Sequence, residues 1–446
     1  MYRLMIIQFT RNRVAVLSLV LLFAAGIISI LVGRKFIEQQ QAAIEETAAY
    51  QKEHIARLVK YENKELGLML YYLKFAYINP ASPLTGVTVG QRDINSSIQT
   101  PTIRTLEAQK YDTDIRNPYL LMTGNFDLSF VILYLFPLVI IATCFNIFSE
   151  EKEQGTWPIV RSQNKSPGKY LLTKISIPYF FIATVLLLLY GLAAMLLHIP
   201  LNKSFAAYAI NNFLYISFWF AASLLVVSFF GSSSTNAISL LSAWLLLTLL
   251  LPAAINNYIT VKYPVPESLS TMLKQRDGYH KKWDIPQDST MSLFFKEYPE
   301  YASYQWTAEG FNWLWYYAMQ HLGDADATAD RKLFMQKLRQ REELGKNLSR
   351  LVPTLYAQQY NTSLAQSSLA NHLQFLDSTT QFHERLRKYF YPKIFTDAPV
   401  LKENWNRFVP GYCIIKENTS LLQSLYVGLF VIVIGAIGII RLRHSP

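Results

Sequence analysis

A compact group of charged side chains stands between two long apolar runs, in the stretch FSEEKEQGTWPIVRSQNKSP that begins at Phe148. Its acids come first, and carboxylates at the start of a helix interact favourably with the positive end of the helix dipole. We therefore predict a short helix capped by Ser149, and recognition of another protein is the chemistry that such a segment would support. The acids are Glu150, Glu151 and Glu153.

The residues after these acids predict a second short helix. Gly155 is expected to end the first helix, and Thr156 to cap a new one with Pro158 in its first turn, where proline is tolerated. Ile159 and the valine after it give an apolar face, and Arg161 begins a basic stretch. Two interpretations stay open, namely a helix that docks in a cleft of a partner and a solvated loop that only connects two spans.

The sequence has none of the spacings that characterise common catalytic or metal-binding sites. Its seven histidines are scattered, its two cysteines form no Cys-x-x-Cys pair, and no His-Glu-x-x-His occurs. A Gly-x-x-x-x-Gly-Lys-Ser/Thr phosphate loop and a Gly-x-Ser-x-Gly nucleophile motif are also missing. We therefore predict a non-catalytic chain with no cofactor and no metal site of its own.

Six apolar stretches must position the charged loop. A stretch of about 20 apolar residues crosses a bilayer core, and only 16% of the residues are charged, against about 25% in soluble domains. The sequence thus predicts an all-α membrane protein with six transmembrane helices. No Asp, Glu, Lys or Arg lies in the middle of a span, which argues against an ion-driven carrier or channel. The predicted spans are 14–33, 128–148, three within 175–259 (175–199, 205–230 and 237–259), and 421–440.

Basic residues set the predicted orientation in the membrane. With both termini cytoplasmic, the cytoplasmic parts are 1–13, the 149–174 loop, the 231–236 turn and the tail, which together hold ten bases and three acids. The rest of the chain is nearly balanced although the net charge is +11, so the charge indicates topology rather than a nucleic-acid surface. Residues 1–13 predict either an amphipathic helix on the membrane surface or a charged tail.

Two long polar segments, 34–127 and 260–420, are extracytoplasmic in this topology. In the first, apolar residues recur on one helical face, so we expect the helix of the first span to continue out of the membrane, as a lever or packed into a domain. After INPASPLTG this segment becomes irregular. The second segment is predicted to be a largely helical domain, with helices at about 307–321, 327–348 and 355–389 and with the aromatic stretch FNWLWYYAM in its core.

The charged loop resembles the loop after the second span in permease subunits of type-2 ATP-binding-cassette (ABC) transporters. The resemblance rests on NIFSEEKEQGTWPIVRSQNKSPGKYLLTKI, where an acidic cluster, Gly-Thr, a few apolar positions and a Ser/Pro link precede lysines and the next span. Trp157 and Pro158 depart from the pattern, since a leucine or a similar residue is commoner there. The large extracytoplasmic segments are similar to those of bacterial members with periplasmic insertions.

The resemblance implies that the loop is a coupling helix, which docks on a dimer of cytoplasmic ABC ATPase subunits that carry ATP and Mg²⁺. It also implies a second permease copy or a related permease, a bacterial inner membrane, and an envelope protein or substrate at the outer domain. The residues that would form the ATPase interface are Glu150, Glu151, Glu153, Gly155, Thr156, Ile159 and Arg161.

Three functions are compatible with these features. The first is a permease that couples ATP hydrolysis on another subunit to export or extraction of a substrate. The second is a mechanotransmitter that the same ATPase drives to act on an envelope partner without transport. The third is a membrane-anchored receptor or scaffold, which predicts that no ATPase binds.

Overall fold

α-Helices form most of the protein. The computed structural model describes residues 2–110, 125–163, 167–229, 231–308, 310–415 and 420–443, and the predicted all-α class is confirmed for these residues, where the strands are only two residues long. The helices are α1 (Tyr2–Arg11), α2 (Arg13–Tyr61), α3 (Leu66–Tyr72), α4 (Glu107–Lys110), α5 (128–144), α6 (Ser149–Glu153), α7 (Trp157–Gln163), α8 (Pro167–Leu196), α9 (Lys203–Val227), α10 (Ser233–Lys262), α11 (Glu267–Lys281), α12 (Gln287–Glu297), α13 (Trp313–Asp326), α14 (Thr328–Ser349), α15 (Pro353–Leu364), α16 (Leu369–Phe395), α17 (Leu421–Ser424) and α18 (Tyr426–Arg443).

Six of the described helical segments are long and apolar enough to cross a membrane, which confirms the predicted number. They are α2, α5, α8, α9, α10 and the α17–α18 segment, and we call them the bundle. The centre of the bundle is α9, which packs against α5, α8 and α18 and buries Trp219, Tyr208 and Tyr215 completely. By contrast, α10 leaves a row of apolar side chains exposed, among them Ile238 and Leu250.

The first spanning helix continues far beyond the bundle, as its periodicity predicted. Helix α2 has 49 residues, which corresponds to about 74 Å at 1.5 Å per residue. Asn12 caps its start through hydrogen bonds from the amides of Val14 and Ala15. Leu22 and Ile30 are buried in the bundle, whereas Ile55 and Leu58, near the other end, are buried in a separate core.

That separate core belongs to one domain built from both long polar segments, which we call the large domain. Its core combines the end of α2 and α3 with α12, α13 and α16. A small sheet also joins the segments, because β1 (Tyr77–Ile78) pairs antiparallel with β2 (Ile98–Gln99) and parallel with β3 (Gly411–Tyr412). The stretch FNWLWYYAM contributes fully buried Tyr317 and Met319, so its interpretation as core is confirmed.

The helix predicted at 355–389 is wrong as a single element, since α15 ends at Leu364 and α16 begins at Leu369. Tertiary contacts explain the interruption. In a continuous helix the carbonyl groups of the turn would accept hydrogen bonds from amides farther along the helix, but here they accept them from residues 85–92. The Thr85 hydroxyl donates to the Ala365 carbonyl, at 2.8 Å. The Arg92 Nε and the Gln91 amide donate to the next two carbonyls. Helices α11 and α12 were not predicted.

Candidate functional site

The charged loop forms two short helices, α6 and α7, joined by a turn at Gly155, as predicted. Gly155 has a φ of +70°, a left-handed conformation that glycine adopts without steric cost. Its amide donates to the Lys152 carbonyl at 3.2 Å, and the Thr156 amide donates to the Glu151 carbonyl at 2.9 Å. This pair of hydrogen bonds is the Schellman arrangement that ends many helices, so the reversal between α6 and α7 is a local consequence of the sequence.

The two predicted capping roles in the loop have different outcomes. The prediction for Ser149 is wrong, because Ser149 lies in the first turn of α6 rather than at its cap, and its Oγ hydrogen-bonds with Ser233 Oγ of α10 at 2.7 Å. Thr156 directly precedes α7, and its carbonyl accepts from the amides of Ile159 and Val160, both at 3.1 Å. Its hydroxyl donates to the Glu151 carboxylate at 2.6 Å.

Glu151 connects three parts of the loop. One carboxylate oxygen accepts the Thr156 hydrogen bond, and the other accepts from the Tyr170 hydroxyl at 3.0 Å and from Lys174 Nζ at 2.9 Å. The side chains of Glu151 and Lys174 are only 16% and 12% exposed. Burial acts to raise the pKa of Glu151, but the hydrogen bonds from Thr156 and Lys174 outweigh it, so the pKa lies below its usual value. We call Glu151, Thr156, Tyr170 and Lys174 the carboxylate latch.

The other two acids also contact their own chain. Glu153 accepts from the Ser233 amide at 2.7 Å and from the Ser233 hydroxyl at 2.9 Å, at the start of α10. The hydrogen bond from the Ser233 amide, followed by the one from its hydroxyl, lowers the pKa of Glu153. The N-terminus of a helix favours an ionised carboxylate, because it carries a partial positive charge. Glu150 accepts from Asn146 Nδ2 at 3.3 Å. The acidic cluster therefore fixes the loop against α8 and α10.

The bend between α6 and α7 is exposed. We call Gly155, Pro158 and Ile159 the exposed tip, because all three are exposed and Ile159 is 58% exposed. Trp157 points the other way and packs edge-on against Phe148, with ring centroids 4.5 Å apart. Trp157, one of the two residues that depart from the pattern of the resemblance, therefore anchors α7 on the bundle. Arg161 lies in α7, and its side chain is outside the described residues.

Other termini and turns gather at the same end of the bundle. Residues 2–11 form helix α1. Its Phe9 stacks on Phe181 of α8 at 5.1 Å, while Leu4 and Ile6 are exposed. Arg441 of α18 lies over the ring of Phe229, 4.0 Å from its centroid. The predicted cytoplasmic parts that are described thus share one end of the bundle, and the large domain occupies the other.

A second polar site lies where α15 enters the bundle. Asn361 Nδ2 donates to Asn212 Oδ1 at 2.8 Å and to Ser129 Oγ at 3.1 Å, and its Oδ1 accepts from Asn211 Nδ2 at 3.0 Å. The three asparagines are completely buried. We call these four residues the polar junction. Nearby, the Tyr215 hydroxyl donates to the Leu133 carbonyl at 2.8 Å.

Sequence reasoning did not find the polar junction. The available signal was the pair Asn211-Asn212 inside an apolar stretch, because a buried amide must find hydrogen-bond partners. The partner, Asn361, is about 150 residues away along the chain. Its position in α15 gave no hint that this helix packs among spanning helices.

The comparison with known proteins concerns the large domain. Residues 269–411 match the family model described as "Domain of unknown function (DUF3526)". The match runs from α11 to β3 and thus covers most of the second polar segment. No curated protein and no solved structure matches the chain. Among the described residues, no group of three or more His, Cys, Asp and Glu side chains is placed to hold a metal ion.

Proposed function

We propose that this chain is the permease subunit of an ABC transporter, located in a bacterial inner membrane with both termini cytoplasmic. The observation that carries the proposal is the architecture of the charged loop, in which the carboxylate latch attaches a short helix to the end of the bundle while Ile159 stays exposed. A docking element needs an apolar contact on a support that transmits force. The exposed tip would supply the contact, and the carboxylate latch would supply the support.

The proposed partner is a dimer of cytoplasmic ABC ATPase subunits that bind ATP and Mg²⁺. This chain has no phosphate-binding loop, so the energy would come from the partner through the exposed tip. Movement of α7 would reach α8 through Tyr170 and Lys174, and α10 through Ser233. A second copy of this chain or a related permease would complete the membrane part.

Mechanotransmission is the second candidate, and the continuity of α2 favours it. One helix passes from the loop end of the bundle into the core of the large domain. Gln51 fixes its far end, since Gln51 Oε1 accepts from the Ala76 amide at 2.6 Å and Nε2 donates to the Phe408 carbonyl at 2.9 Å. A tilt of α2 in the membrane would therefore move the large domain.

Site-specific photocrosslinking tests the docking assignment. A photoreactive amino acid at Ile159 in cells of the native host should form an adduct with a protein that carries the Gly-x-x-x-x-Gly-Lys-Ser/Thr motif. The control places the same amino acid at Leu401, which is 71% exposed on the large domain. Adducts with an ATPase at both positions, or at neither, would reject the assignment and favour the receptor or scaffold.

A functional variant complements the crosslink. Ile159→Asp should abolish the association with the ATPase while leaving the fold intact, because the side chain is exposed and surface substitutions change stability by about 0.5 kcal/mol or less. Leu401→Asp is the matched control. Co-purification of the ATPase and ATP hydrolysis in the purified complex are the readouts.

A kink in α2 separates transport from mechanotransmission. Glu46 lies on an exposed turn of α2 between the bundle and the large domain, and Glu46→Pro interrupts the helix there. If the protein is a mechanotransmitter, the complex should still hydrolyse ATP but should no longer act on its envelope partner. If it is a transporter, the complex should still move its substrate. Glu46→Ala, which preserves the helix, is the control.

A further inference from the structure

Strand β3 forms one edge of the small sheet in the large domain. The strand order is β2-β1-β3, so β1 lies on one side of β3, and on the other side no described residue forms a neighbouring strand. The backbone N–H and C=O groups on the open side of an edge strand have no partner in the sheet, and they can pair with another chain. Neither proposed function uses this edge.

The register of β3 shows which of its backbone groups point outward. The amides of Gly411 and Cys413 donate to carbonyl groups of the 76–78 segment, at 2.9 and 2.7 Å. Because successive residues of a strand direct their backbone groups to opposite edges, the N–H and C=O groups of Tyr412 and Ile414 point away from β1. Neither of these two residues has a hydrogen-bond partner in the part of the chain that the structure describes. Two donors and two acceptors therefore line the outer edge.

The side chains on this part of β3 are large, apolar and exposed. Ile414 is 85% exposed, more than any other large apolar side chain that the structure describes, and Tyr412 is 51% exposed. Alternate residues of a strand share one face of the sheet, so these two side chains lie next to each other. An apolar strand with an open edge is a surface that natural proteins usually protect, which indicates that something covers it.

The opposite face of β3 holds the strand on the core. Cys413 is 4% exposed and packs with Tyr77 and Phe375. A Cβ atom at Gly411 would lie 2.8 Å from the ring of Tyr77, so glycine permits the close approach of β3 to β1. The outer edge thus belongs to a strand that is already formed, and a preformed binding surface loses less conformational entropy when a partner binds.

The spacing of the outward backbone groups specifies the chemistry of the occupant. Two residues of a strand span about 6.7 Å, and an extended polypeptide presents its own donors and acceptors at the same interval. When such a segment adds to a sheet edge, main-chain hydrogen bonds give affinity and alternate side chains give specificity. Tyr412 and Ile414 favour apolar neighbours, because aromatic and β-branched residues form stabilising cross-strand pairs.

We propose that β3 binds an extended, apolar segment of another protein, which adds a fourth strand to the sheet. Gln51 of α2 donates to the carbonyl of Phe408, three residues before β3, at 2.9 Å. A movement of α2 would therefore reach the added strand. This connection favours a separate protein over a second copy of this chain, which would make the same movement itself. The choice of partner rests on the mechanotransmission candidate, whereas the open edge does not.

Site-specific photocrosslinking in cells of the native host tests this edge without involving the charged loop or ATP. A photoreactive amino acid in place of Tyr412 should form an adduct with another protein, and mass spectrometry should map the adduct to one segment of that protein. The control places the same amino acid at Leu401, which is 71% exposed in the same domain but lies outside the sheet. It should not form this adduct.

Proline distinguishes strand addition from a contact through side chains alone. Ile414→Pro removes an outward N–H but keeps the hydrogen bonds of Gly411 and Cys413, and proline is tolerated on the open side of an edge strand. We expect the adduct yield at position 412 to fall about tenfold, because an acceptor of the partner is left unpaired. Ile414→Ala also loses the side chain but keeps the N–H, so its yield should stay about threefold or more above that of Ile414→Pro.

Exchanging the two positions gives an independent test if Ile414→Pro does not fold. The photoreactive amino acid then replaces Ile414, and Tyr412→Pro is compared with Tyr412→Ala. Unfolding titrations in detergent should give similar free energies of unfolding for the proline and alanine variants. The absence of an adduct at both positions, an adduct with a second copy of this chain, or equal yields from folded proline and alanine variants would overturn the proposal.

Discussion

The charged loop and the polar junction each attach a helix to the bundle, but they do so with different chemical groups. In the loop, ionised carboxylates accept hydrogen bonds near the surface, and Glu153 is exposed. In the junction, neutral amides bind one another in complete burial. Charged groups keep much of their hydration at the surface, whereas neutral amides can be buried at moderate cost when they are paired.

This difference indicates which of the two contacts is easier to break. Ion pairs near the surface contribute little each, about 0–1 kcal/mol, and charge-assisted hydrogen bonds contribute somewhat more. Breaking a buried cluster of amides that bind one another leaves several groups unsatisfied at once. We therefore expect the loop to shift when a partner binds and the junction to hold α15 in place, and four predictions examine this contrast.

The largest effect is expected at the polar junction. Asn361→Ala removes the partner of Asn212 Oδ1 and Ser129 Oγ and one of the two partners of Asn211 Nδ2, and each unsatisfied buried group costs about 1–3 kcal/mol. We expect the free energy of unfolding to fall by about 4 kcal/mol, measured by denaturant titration in detergent. Asn347→Ala, at an exposed position of α14, is the control. A loss below about 1 kcal/mol would remove the contrast with the loop.

The next largest effect concerns α2, which joins the two ends of the molecule. A Cβ atom at Gly33 would lie 1.6 Å from the carbonyl oxygen of Gly86, so Gly33→Ala must displace backbone. Overpacking of this kind costs about 1–3 kcal/mol, and we expect about 3 kcal/mol in the same titration. Gly191→Ala is the matched control, because no atom beyond the neighbouring backbone of its own helix lies within 4 Å of the corresponding Cβ position. Equal stability of the two variants would contradict the close contact.

The carboxylate latch should be weaker than either of these contacts. Glu151→Gln removes the charge that Lys174 and Thr156 bind, and we expect a loss of about 2 kcal/mol, as hydrogen bonds to charged groups contribute about 1.5–3 kcal/mol. Faster hydrogen exchange confined to 149–163 would show that the loop loosens by itself. The control is Glu150→Gln, and equal effects of both variants would refute the central role of Glu151.

The smallest effect, over the range from pH 7.5 to 5.5, is a pH dependence of the large domain. His321 hydrogen-bonds with the hydroxyls of Tyr298 and Tyr391, and burial lowers its pKa to about 2. The unfolded chain protonates histidine near pH 6.5. Since the folded pKa is the lower one, this contribution to stability is complete above pH 6.5 and declines by about 1.4 kcal/mol per pH unit between pH 6.5 and 2.

Unfolding titrations at pH 7.5, 6.5 and 5.5 measure this slope. His321→Gln should reduce it, whereas His280→Gln, at an exposed position, should not. His372 also contributes to the dependence of the unfolding free energy on pH. In the folded protein its pKa is lowered to about 4, mainly by burial and then by the charges of Arg92 and Lys110. An identical slope in His321→Gln would show that this histidine does not contribute.

The loop was more predictable than the junction because its structure depends on neighbouring residues. The acids, Gly155 and Pro158 specify two short helices through dipole, turn and proline geometry, all of which act within one or two turns. The capping prediction for Ser149 failed because its hydroxyl binds Ser233 of another helix. Whether the loop binds an ATPase stays a prediction.

The helices of the large domain were predicted less well. Periodicity located α13 and α14 approximately, but it joined α15 and α16 into one helix and missed α11 and α12. The turn at 365–368 exists because residues 85–92 bind its carbonyl groups. Such an interruption has no signature in the local pattern.

The sequence by itself determined the six spans, the continuity of α2 and the reversal at Gly155, because apolar length, helical periodicity and the conformational freedom of glycine act over short distances. Only the tertiary structure decided which amides pair at the polar junction, that both polar segments share one core, and that Glu151 faces inward while Ile159 remains exposed. These features depend on partners far apart in the chain, so they are defined only once the helices have packed.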